Sequence, residues 1–153
     1  MTTNPPAEID ADSFTVSRTI DIAAPVAKVW AAVTEPEHIK QWAGSAASID
    51  ALRVGGHGVW TFEGYGDVPL VIEEIDPPHS IAYRWGNTQS PEVDPEASTV
   101  FRFTLEETGS GTRLTVVESG FNTLADPPAR MESNRGGWTS ELDELVAYVE
   151  RLA

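Results

Sequence analysis

Cysteine is absent from this chain of 153 residues. Without thiols, disulfides, a cysteine nucleophile and a cysteine-ligated metal are all excluded. Histidine is nearly as scarce, because His38, His57 and His79 are the only three and they are far apart. They show neither HxH nor HExxH spacing, so the sequence predicts no metal site and no cofactor. The lack of cysteine is most simply explained by a cytoplasmic location.

Basic residues are also few, since ten lysines and arginines stand against 24 acidic residues and leave a net charge of −14. This charge repels phosphate backbones and anionic membrane surfaces, so nucleic-acid binding is not expected. No apolar run approaches the roughly 18 residues of a membrane span, which argues against membrane insertion. Residues 1–12, MTTNPPAEIDAD, lack the basic and apolar regions of a signal peptide. We predict that they form a disordered leader.

What the chain does contain is a series of strands separated by turn signals. FTVSRTIDI alternates apolar and polar residues and predicts the first strand, with its apolar residues on one face. Pro25 and Pro36 then open two short helices. Six further strands are predicted near residues 48–52, 58–64, 70–76, 80–85, 98–106 and 112–119. The short connections between them predict an antiparallel meander.

The C-terminal stretch has helical periodicity, because apolar residues recur at spacings of four and three: Met131, Trp138, Leu142, Leu145, Val149 and Leu152. Gly136 and Gly137 would fall inside this helix, where each costs about 1 kcal/mol relative to alanine. We favour one long helix in which the glycines permit a bend or a close approach to a strand, setting the width of one pocket end. The alternative is a helix that begins at Ser140, with Asp143 as its capping-box partner.

Together these elements predict one α+β domain over residues 13–153. A curved antiparallel sheet of seven strands has one face that must be covered, and only the C-terminal helix is long enough to cover it. The two short helices after the first strand would close one end of this arrangement.

Four stretches, in this order, resemble a known superfamily: VSRTIDIAAPVAKVWAAVTEPEHIKQW, the Val54-Gly55-Gly56 turn, the EIDPP segment before a strand ending in YRW, and GGWTSELDELVAYVE. The pattern is similar to the helix-grip fold of the START and birch-pollen-allergen-like (SRPBCC) superfamily. Within it, the chain resembles the family named for homologues of the heat-shock protein 90 ATPase activator. The resemblance implies a cavity between sheet and long helix, where superfamily members commonly bind lipids, sterols or polyketides.

Aromatic residues at alternating strand positions give the implied cavity a candidate lining. The predicted ligand-binding residues lie on these strand faces, on the helical stripe or next to them: Trp42, Trp60, Phe62, Tyr83, Trp85, Phe101, Phe103, Phe121, Trp138 and Leu142. An aromatic lining with a few polar groups suits an apolar ligand. The alternative is that the same rings pack a closed core.

Two charged residues complete the predicted site. Arg18 in the first strand and Glu118 in the last both share the apolar phase of their strands. Because these strands pair in the resembled fold, the two side chains could form an ion pair, or one of them could meet a polar group of a ligand. Glu73 is a further acid within a strand, but the sequence does not determine which face of that strand points inward.

One long connection, Gly86 to Ala97, stands out among the short turns. A connection of this length is unusual for a hairpin. It is either a mobile lid at the pocket mouth or a solvated insertion.

Three functions fit these features. The first is a non-catalytic carrier or sensor of a small hydrophobic molecule such as a lipid, a sterol or an aromatic polyketide. The second is a cyclase or hydrolase with a general acid or base among Glu73, Glu118, Arg18 and Tyr83. The third is a co-chaperone or stress-response module. The resembled activator engages its chaperone through an additional N-terminal domain, and few residues precede the first strand here, so a chaperone partner is not expected. Monomer and homodimer both stay open.

Overall fold

The computed structural model describes residues 4–86 and 91–152. It contains β1 (Glu8–Asp10), β2 (Thr15–Ile22), α1 (Val26–Thr34), α2 (Pro36–Ile39), β3 (Ala46–Ile49), β4 (His57–Phe62), β5 (Gly66–Asp76), β6 (Ser80–Trp85), β7 (Thr99–Thr108), β8 (Gly111–Ser119), a 3₁₀ helix (Phe121–Thr123) and α3 (Pro127–Leu152). The strands form one antiparallel sheet in the order β1-β2-β8-β7-β6-β5-β4-β3. The predicted α+β helix-grip architecture is confirmed.

The core lies between the inner face of this sheet and α3. Strand register aligns inward positions across neighbouring strands, as in the row formed by Ile20, Leu114 and Leu105 on β2, β8 and β7. All three side chains are buried. Successive strand residues point to opposite faces, so one alternating pattern in each strand is enough to build this apolar surface.

Helix α3 covers that surface and runs without interruption through both glycines. Its buried residues are the predicted stripe without its last member: Met131, Trp138, Leu142, Leu145 and Val149. Leu152 is 46% exposed, because the helix has by then passed the edge of the core. The alternative start at Ser140 is therefore wrong.

The glycine pair does not serve a close approach to a strand. A methyl group placed at Gly136 or Gly137 would meet no atom within 4 Å among the residues that the structure describes. Packing therefore tolerates a side chain at both positions. The expectation that the glycines permit a close approach to a strand is wrong, because their missing side chains leave open space instead.

The sheet has eight strands rather than the predicted seven. The extra strand, β1, lies in the segment predicted as a disordered leader and pairs with β2 at the sheet edge. Ala7 is buried, and its N–H donates to the Thr139 hydroxyl of α3 at 3.0 Å. A three-residue strand with a charge at each end gives almost no periodic signal, which is why the sequence did not reveal it.

Strand β5 contains an irregularity that settles the orientation of Glu73. Its pairing with β6 shifts between Ile72 and Glu74. A bulge of this kind inserts one residue and changes which side chains face inward. Ile72 and Ile75 both pack on the core, although they are an odd number of residues apart. Glu73 lies on the outside, where its carboxylate accepts a hydrogen bond from Arg84 Nε at 2.7 Å.

Two further features bear on the predictions. Residues 87–90 of the predicted lid lie outside the described residues. Within the described part of the chain, no helix has both the length and the apolar character needed to cross a bilayer.

Candidate functional site

A cavity of about 290 Å³ opens between α3 and the β4–β6 part of the sheet. Its sheet wall is largely aromatic and consists of Trp60, Phe62, Tyr65, Val68, Trp85 and Gly86. Trp60 and Phe62 alternate with outward residues along β4, so both rings point toward α3. Tyr65, in the turn between β4 and β5, is 61% exposed and stands at the rim. This wall therefore offers flat apolar surface with one hydroxyl at its edge.

The opposite wall belongs to α3 and is more polar. It consists of Arg130, Ser133, Asn134, Gly137, Trp138 and Glu141. Each of these positions has another three or four residues away, which places the set on one side of the helix. They form a stripe beside the buried apolar stripe of α3, and Trp138 belongs to both. The helix thus presents polar groups to a cavity whose other side is aromatic.

The rings of Trp60, Phe62, Trp85 and Trp138 contact one another where the two walls meet, and together they form the aromatic floor of the cavity. Trp85 and Trp138 stack with ring centroids 5.9 Å apart and ring planes 26° apart. Trp60 and Phe62 each contact the Trp85 ring edge-to-face, with ring centroids 5.9 Å and 6.3 Å from that of Trp85. Offset stacking and edge-to-face contacts are favourable arrangements for such rings. The floor is therefore a connected set of rings that links the sheet to the helix.

A buried carboxylate lies directly behind this floor. Glu118 on β8 is fully buried, and it accepts hydrogen bonds from both indole N–H groups, Trp85 Nε1 at 2.8 Å and Trp138 Nε1 at 2.8 Å. The Thr99 hydroxyl donates at 2.5 Å, and the Asn134 amide donates to the two carboxylate oxygens at 3.0 and 3.1 Å. No salt bridge to Glu118 occurs among the described residues. Hydrogen bonds from neutral groups alone compensate the burial of this carboxylate.

Through these hydrogen bonds Glu118 fixes the positions of side chains that line the cavity. Three of its four partners line the cavity, namely Trp85, Asn134 and Trp138. A carboxylate bonded to both indoles holds their planes and limits their rotation. The shape of the cavity floor therefore depends on a residue that does not itself line the cavity.

Glu141 is the other carboxyl group at the site. It is half-buried on the helix wall, and within the described residues its side chain has no hydrogen bond or ion pair. Burial disfavours the charged form of such a group and raises the pKa of Glu141 to about 7. Near neutral pH this carboxyl group can therefore accept or release a proton.

Of the two alternatives for Arg18 and Glu118, the ion pair between them is wrong. The Arg18 guanidinium donates to the Pro5 carbonyl at 2.7 Å, to the Thr139 carbonyl at 2.8 Å and to Asp143 at 2.7 Å. Glu118 is opposite Val16 and Arg18 is opposite Val116 in the β2–β8 register, so the two charged residues are diagonal neighbours. The guanidinium instead reaches across to α3 and ties the N-terminal segment to that helix.

The predicted ligand-binding residues divide into two groups. Four of them line the cavity: Trp60, Phe62, Trp85 and Trp138. The other six apolar ones are buried in the core away from the cavity lining: Trp42, Tyr83, Phe101, Phe103, Phe121 and Leu142. Two of these six donate hydrogen bonds to main-chain carbonyls of α1. Trp42 Nε1 donates to the Ala32 carbonyl, and the Tyr83 hydroxyl donates to the Val33 carbonyl. These six residues pack the core, as the alternative interpretation of the aromatic residues has it.

Most of the helix wall was not among the predicted site residues: Arg130, Ser133, Asn134 and Glu141. Arg130, Asn134, Gly137 and Glu141 follow one another at spacings of four, three and four. That spacing is itself a readable signal, because it marks a polar stripe next to the apolar one. The predicted site residues on α3 follow the apolar stripe alone, so the polar stripe was not predicted.

None of the residues considered earlier as a general acid or base lines the cavity. Glu73 is paired with Arg84 on the outer face, and Arg18 is bonded to α3. Burial raises the pKa of Tyr83 far above its usual range, so its hydroxyl stays protonated. Glu118 lies behind the floor. Of the acidic residues, only Glu141 reaches the cavity among the residues described.

A second, wider groove of about 670 Å³ lies on the outer side of the sheet, against Val59, Val71 and the segment 91–95. It lacks an aromatic wall and is not covered by α3. In the described part of the chain, no three His, Asp or Glu residues are grouped in a way that could hold a metal ion. The cavity under α3 is therefore the stronger candidate for a functional site.

Comparison with known proteins identifies the family of the chain and several solved structures with the same fold. A family model described as Activator of Hsp90 ATPase homolog 1-like protein matches residues 23–150. No curated protein matches the chain. Among solved structures, protein MLL2253 from Mesorhizobium loti is 25% identical with a TM-score of 0.78, covering 91% of this chain and 98% of its own.

Two further structures share the fold. Protein Ms6760 from Mycobacterium smegmatis is 21% identical with a TM-score of 0.73, over 98% of this chain and 96% of its own. The Aha1 dimer from Colwellia psychrerythraea is 20% identical with a TM-score of 0.72, over 89% of this chain and 96% of its own. At these identities the likeness shows the fold alone.

Proposed function

The chain belongs to the family of Activator of Hsp90 ATPase homolog 1-like proteins, and from this premise we propose that it binds a small hydrophobic molecule in the cavity between α3 and the sheet, as a carrier or sensor. The observation that carries the proposal is the connected aromatic floor of Trp60, Phe62, Trp85 and Trp138 beneath a polar helix wall. Concave sites with apolar walls and a few convergent polar groups are the usual form of small-molecule sites.

Gly137 supports this proposal. It lines the cavity, whereas its neighbour Gly136 does not. Since no atom of the described residues would contact a methyl group at Gly137, its lack of a side chain leaves open space above the aromatic floor. A helix that gives up about 1 kcal/mol of intrinsic stability at this position gains room for a ligand.

The matched pair Gly137→Leu and Gly136→Leu tests the proposal. Both replacements gain the same helix propensity, but only the first adds a side chain to the cavity lining. The probe is N-phenylnaphthylamine, an uncharged dye that becomes fluorescent in apolar sites. We expect the parent and Gly136→Leu to bind it, and Gly137→Leu to bind it about tenfold more weakly or not at all, which corresponds to about 1.4 kcal/mol or more. Equal binding by all three proteins, or no binding by the parent, would overturn the proposal.

A second candidate function is catalysis, which the position of Glu141 favours. A carboxyl group in an apolar cavity with a pKa near 7 is suited to general acid–base chemistry. An enzyme of this kind would lose turnover in Glu141→Gln while still binding the dye. A carrier would show no turnover in either protein with hydrolysable aromatic esters as substrates.

The co-chaperone function has no comparable support in the site. The shared fold with the Aha1 dimer from Colwellia psychrerythraea is its basis, at 20% identity. A pull-down with a heat-shock protein 90 chaperone, together with its ATPase rate, would test this function directly.

A further inference from the structure

Glu141 is a carboxylate without a partner at an aromatic site. Its side chain lines the cavity, and among the residues described it has no ion pair and no hydrogen bond. Leaving a half-buried carboxylate without a counter-charge is unfavourable, and this is why burial raises its pKa to about 7. A ligand that brought a positive charge to this point would remove that cost.

The position of Glu141 on α3 places it beside the space left by Gly137. The two residues are four apart, so they are neighbours on the same face of the helix. Long side chains on a helix lean toward its N-terminus, over the preceding turn. The carboxyl group of Glu141 therefore leans over the position where Gly137 has no side chain, and the open volume and the charge coincide.

The aromatic floor favours the same sign of charge. The faces of tryptophan rings carry partial negative charge and attract cations, most strongly when the cation is shielded from water. Trp60, Trp85 and Trp138 supply three such rings to the cavity. Combined with a carboxylate, they form an arrangement suited to a basic nitrogen carried on an apolar body.

The charge of the whole protein acts in the same direction. With a net charge of −14, the molecule attracts cations and repels anions at a distance. Arg130 is the opposing group on the cavity wall. It precedes Glu141 by eleven positions on α3, which separates their Cα atoms by roughly 16 Å along the axis. Arg130 thus stands at the other end of the cavity and leaves Glu141 uncompensated.

We propose that the natural ligand is an organic cation, an amine carried on an aromatic or similarly apolar body, whose ammonium group pairs with Glu141 while its body rests on the tryptophan floor. This inference rests on the proposed binding function and specifies its ligand class. Ser133, on the helix wall between the two charged residues, offers its hydroxyl to a polar substituent on the same body. The amide nitrogen of Asn134 is already bonded to Glu118.

Three probes with one aromatic body test the inference: the β-isomers of naphthylmethylamine, naphthylmethanol and naphthoate. They share the naphthalene body and carry a small substituent that is positive, neutral or negative. Binding is followed by NMR through the indole N–H resonances of Trp85 and Trp138, which report on the cavity floor. At pH 8 we expect the amine to bind the parent about tenfold more tightly than the alcohol, a difference of about 1.4 kcal/mol, and naphthoate to bind most weakly.

Matched variants separate the carboxylate from general charge. Glu141→Gln keeps the shape of the side chain and removes its charge, and it is expected to abolish the preference for the amine while leaving alcohol binding within about twofold. Glu144→Gln makes the same change in net charge at an exposed position of α3 and should leave all three affinities unchanged. Arg130→Gln should strengthen the binding of the amine slightly.

A pH series gives an independent readout. Lowering the pH to 5.5 protonates Glu141 and should reduce the amine preference of the parent, with no such change in Glu141→Gln. Among the residues described, Tyr65 and Arg130 are the other titratable groups that line the cavity, and the Glu141→Gln variant controls for both of them.

The outcomes distinguish the two proposals. If the parent binds the alcohol as tightly as the amine, or naphthoate most tightly, or if Glu141→Gln keeps the amine preference, the ligand class is wrong and the binding function stands. If none of the three probes moves the indole resonances of the parent, the binding function itself fails.

Discussion

Arg18 and Glu118 are two buried charges on one face of one sheet, and the fold stabilises them in opposite ways. Arg18 is bonded to main-chain carbonyls of Pro5, Trp138 and Thr139 and to the carboxylate of Asp143. Glu118 is bonded only to the side chains of neutral residues, most of which line the cavity. A charge bonded to main chain joins segments of the architecture, whereas a charge bonded to side chains sets the shape of a site.

The largest effect in this comparison is expected from Glu118→Leu. The replacement leaves the Trp85, Trp138, Thr99 and Asn134 donors without their acceptor. Each buried unsatisfied donor costs roughly 1–3 kcal/mol, and partial rehydration limits the sum, so we expect a loss of about 3–5 kcal/mol in the free energy of unfolding. Urea denaturation measures it.

The cavity itself provides the second readout for Glu118. The milder variant Glu118→Gln keeps the shape of the side chain, and it should fold while the indole N–H resonances of Trp85 and Trp138 shift and broaden. If Glu118→Leu stays within about 1 kcal/mol of the parent with sharp indole resonances, Glu118 does not organise the floor.

Arg18→Met is expected to cost less, about 2–3 kcal/mol. The hydrogen bonds of a charged donor are lost, but so is the penalty of keeping a guanidinium out of water. The larger effect should be a local loosening of the N-terminal segment, because the Pro5 carbonyl and β1 lose their connection to α3 through Arg18. Limited proteolysis should then cut within residues 4–12 while the cavity still binds the dye.

Asp143→Asn is the matched control for the Arg18 variant. The Asp143 side chain is 61% exposed, so its ion pair with Arg18 should contribute only about 0–1 kcal/mol. Loss of dye binding in Arg18→Met without N-terminal cleavage would contradict the division of roles between the two buried charges.

Glu141 extends the comparison to a third charge, which has no partner among residues 4–86 and 91–152. Burial raises the pKa of Glu141 from its usual 4.5 to about 7, so the folded protein favours the protonated form. Stability should therefore fall as the pH rises from about 4.5 through about 7. We expect Glu141→Gln to be about 2 kcal/mol more stable than the parent at pH 8 and equal to it at pH 4. Thermal unfolding across this range checks the prediction, and a constant difference at all pH values would refute it.

The architecture was largely predictable from the sequence because alternation and helical spacing carry it. The apolar stripe of α3 and the strands from β4 to β8 follow such patterns. What could not be predicted lies where the pattern is short or broken. β1 has too few residues to show a period, and the bulge beside Glu73 changes the phase within β5.

The site was less predictable than the fold. Aromatic residues in the cavity and in the core have the same strand positions, so Trp85 and Phe101 cannot be told apart by spacing. Only the length and position of α3 decide which rings remain uncovered. The hydrogen-bond acceptors of Arg18 could not be predicted either. They include the main-chain carbonyls of Trp138 and Thr139, and every residue type has such a carbonyl.

The smallest expected effect concerns the two glycines and separates helix stability from cavity space. Gly136→Ala and Gly137→Ala should each stabilise the protein by about 1 kcal/mol, because alanine is the better helix former. At either position its methyl group meets no atom within 4 Å in the part of the chain that the structure describes. Urea denaturation measures this gain. Their ligand affinities should differ, since only the methyl group at Gly137 enters the cavity, so dye binding should weaken there and stay unchanged in Gly136→Ala. If Gly137→Ala were destabilising, the helix would need the flexibility of glycine at this point, and the space that Gly137 leaves would be incidental to binding.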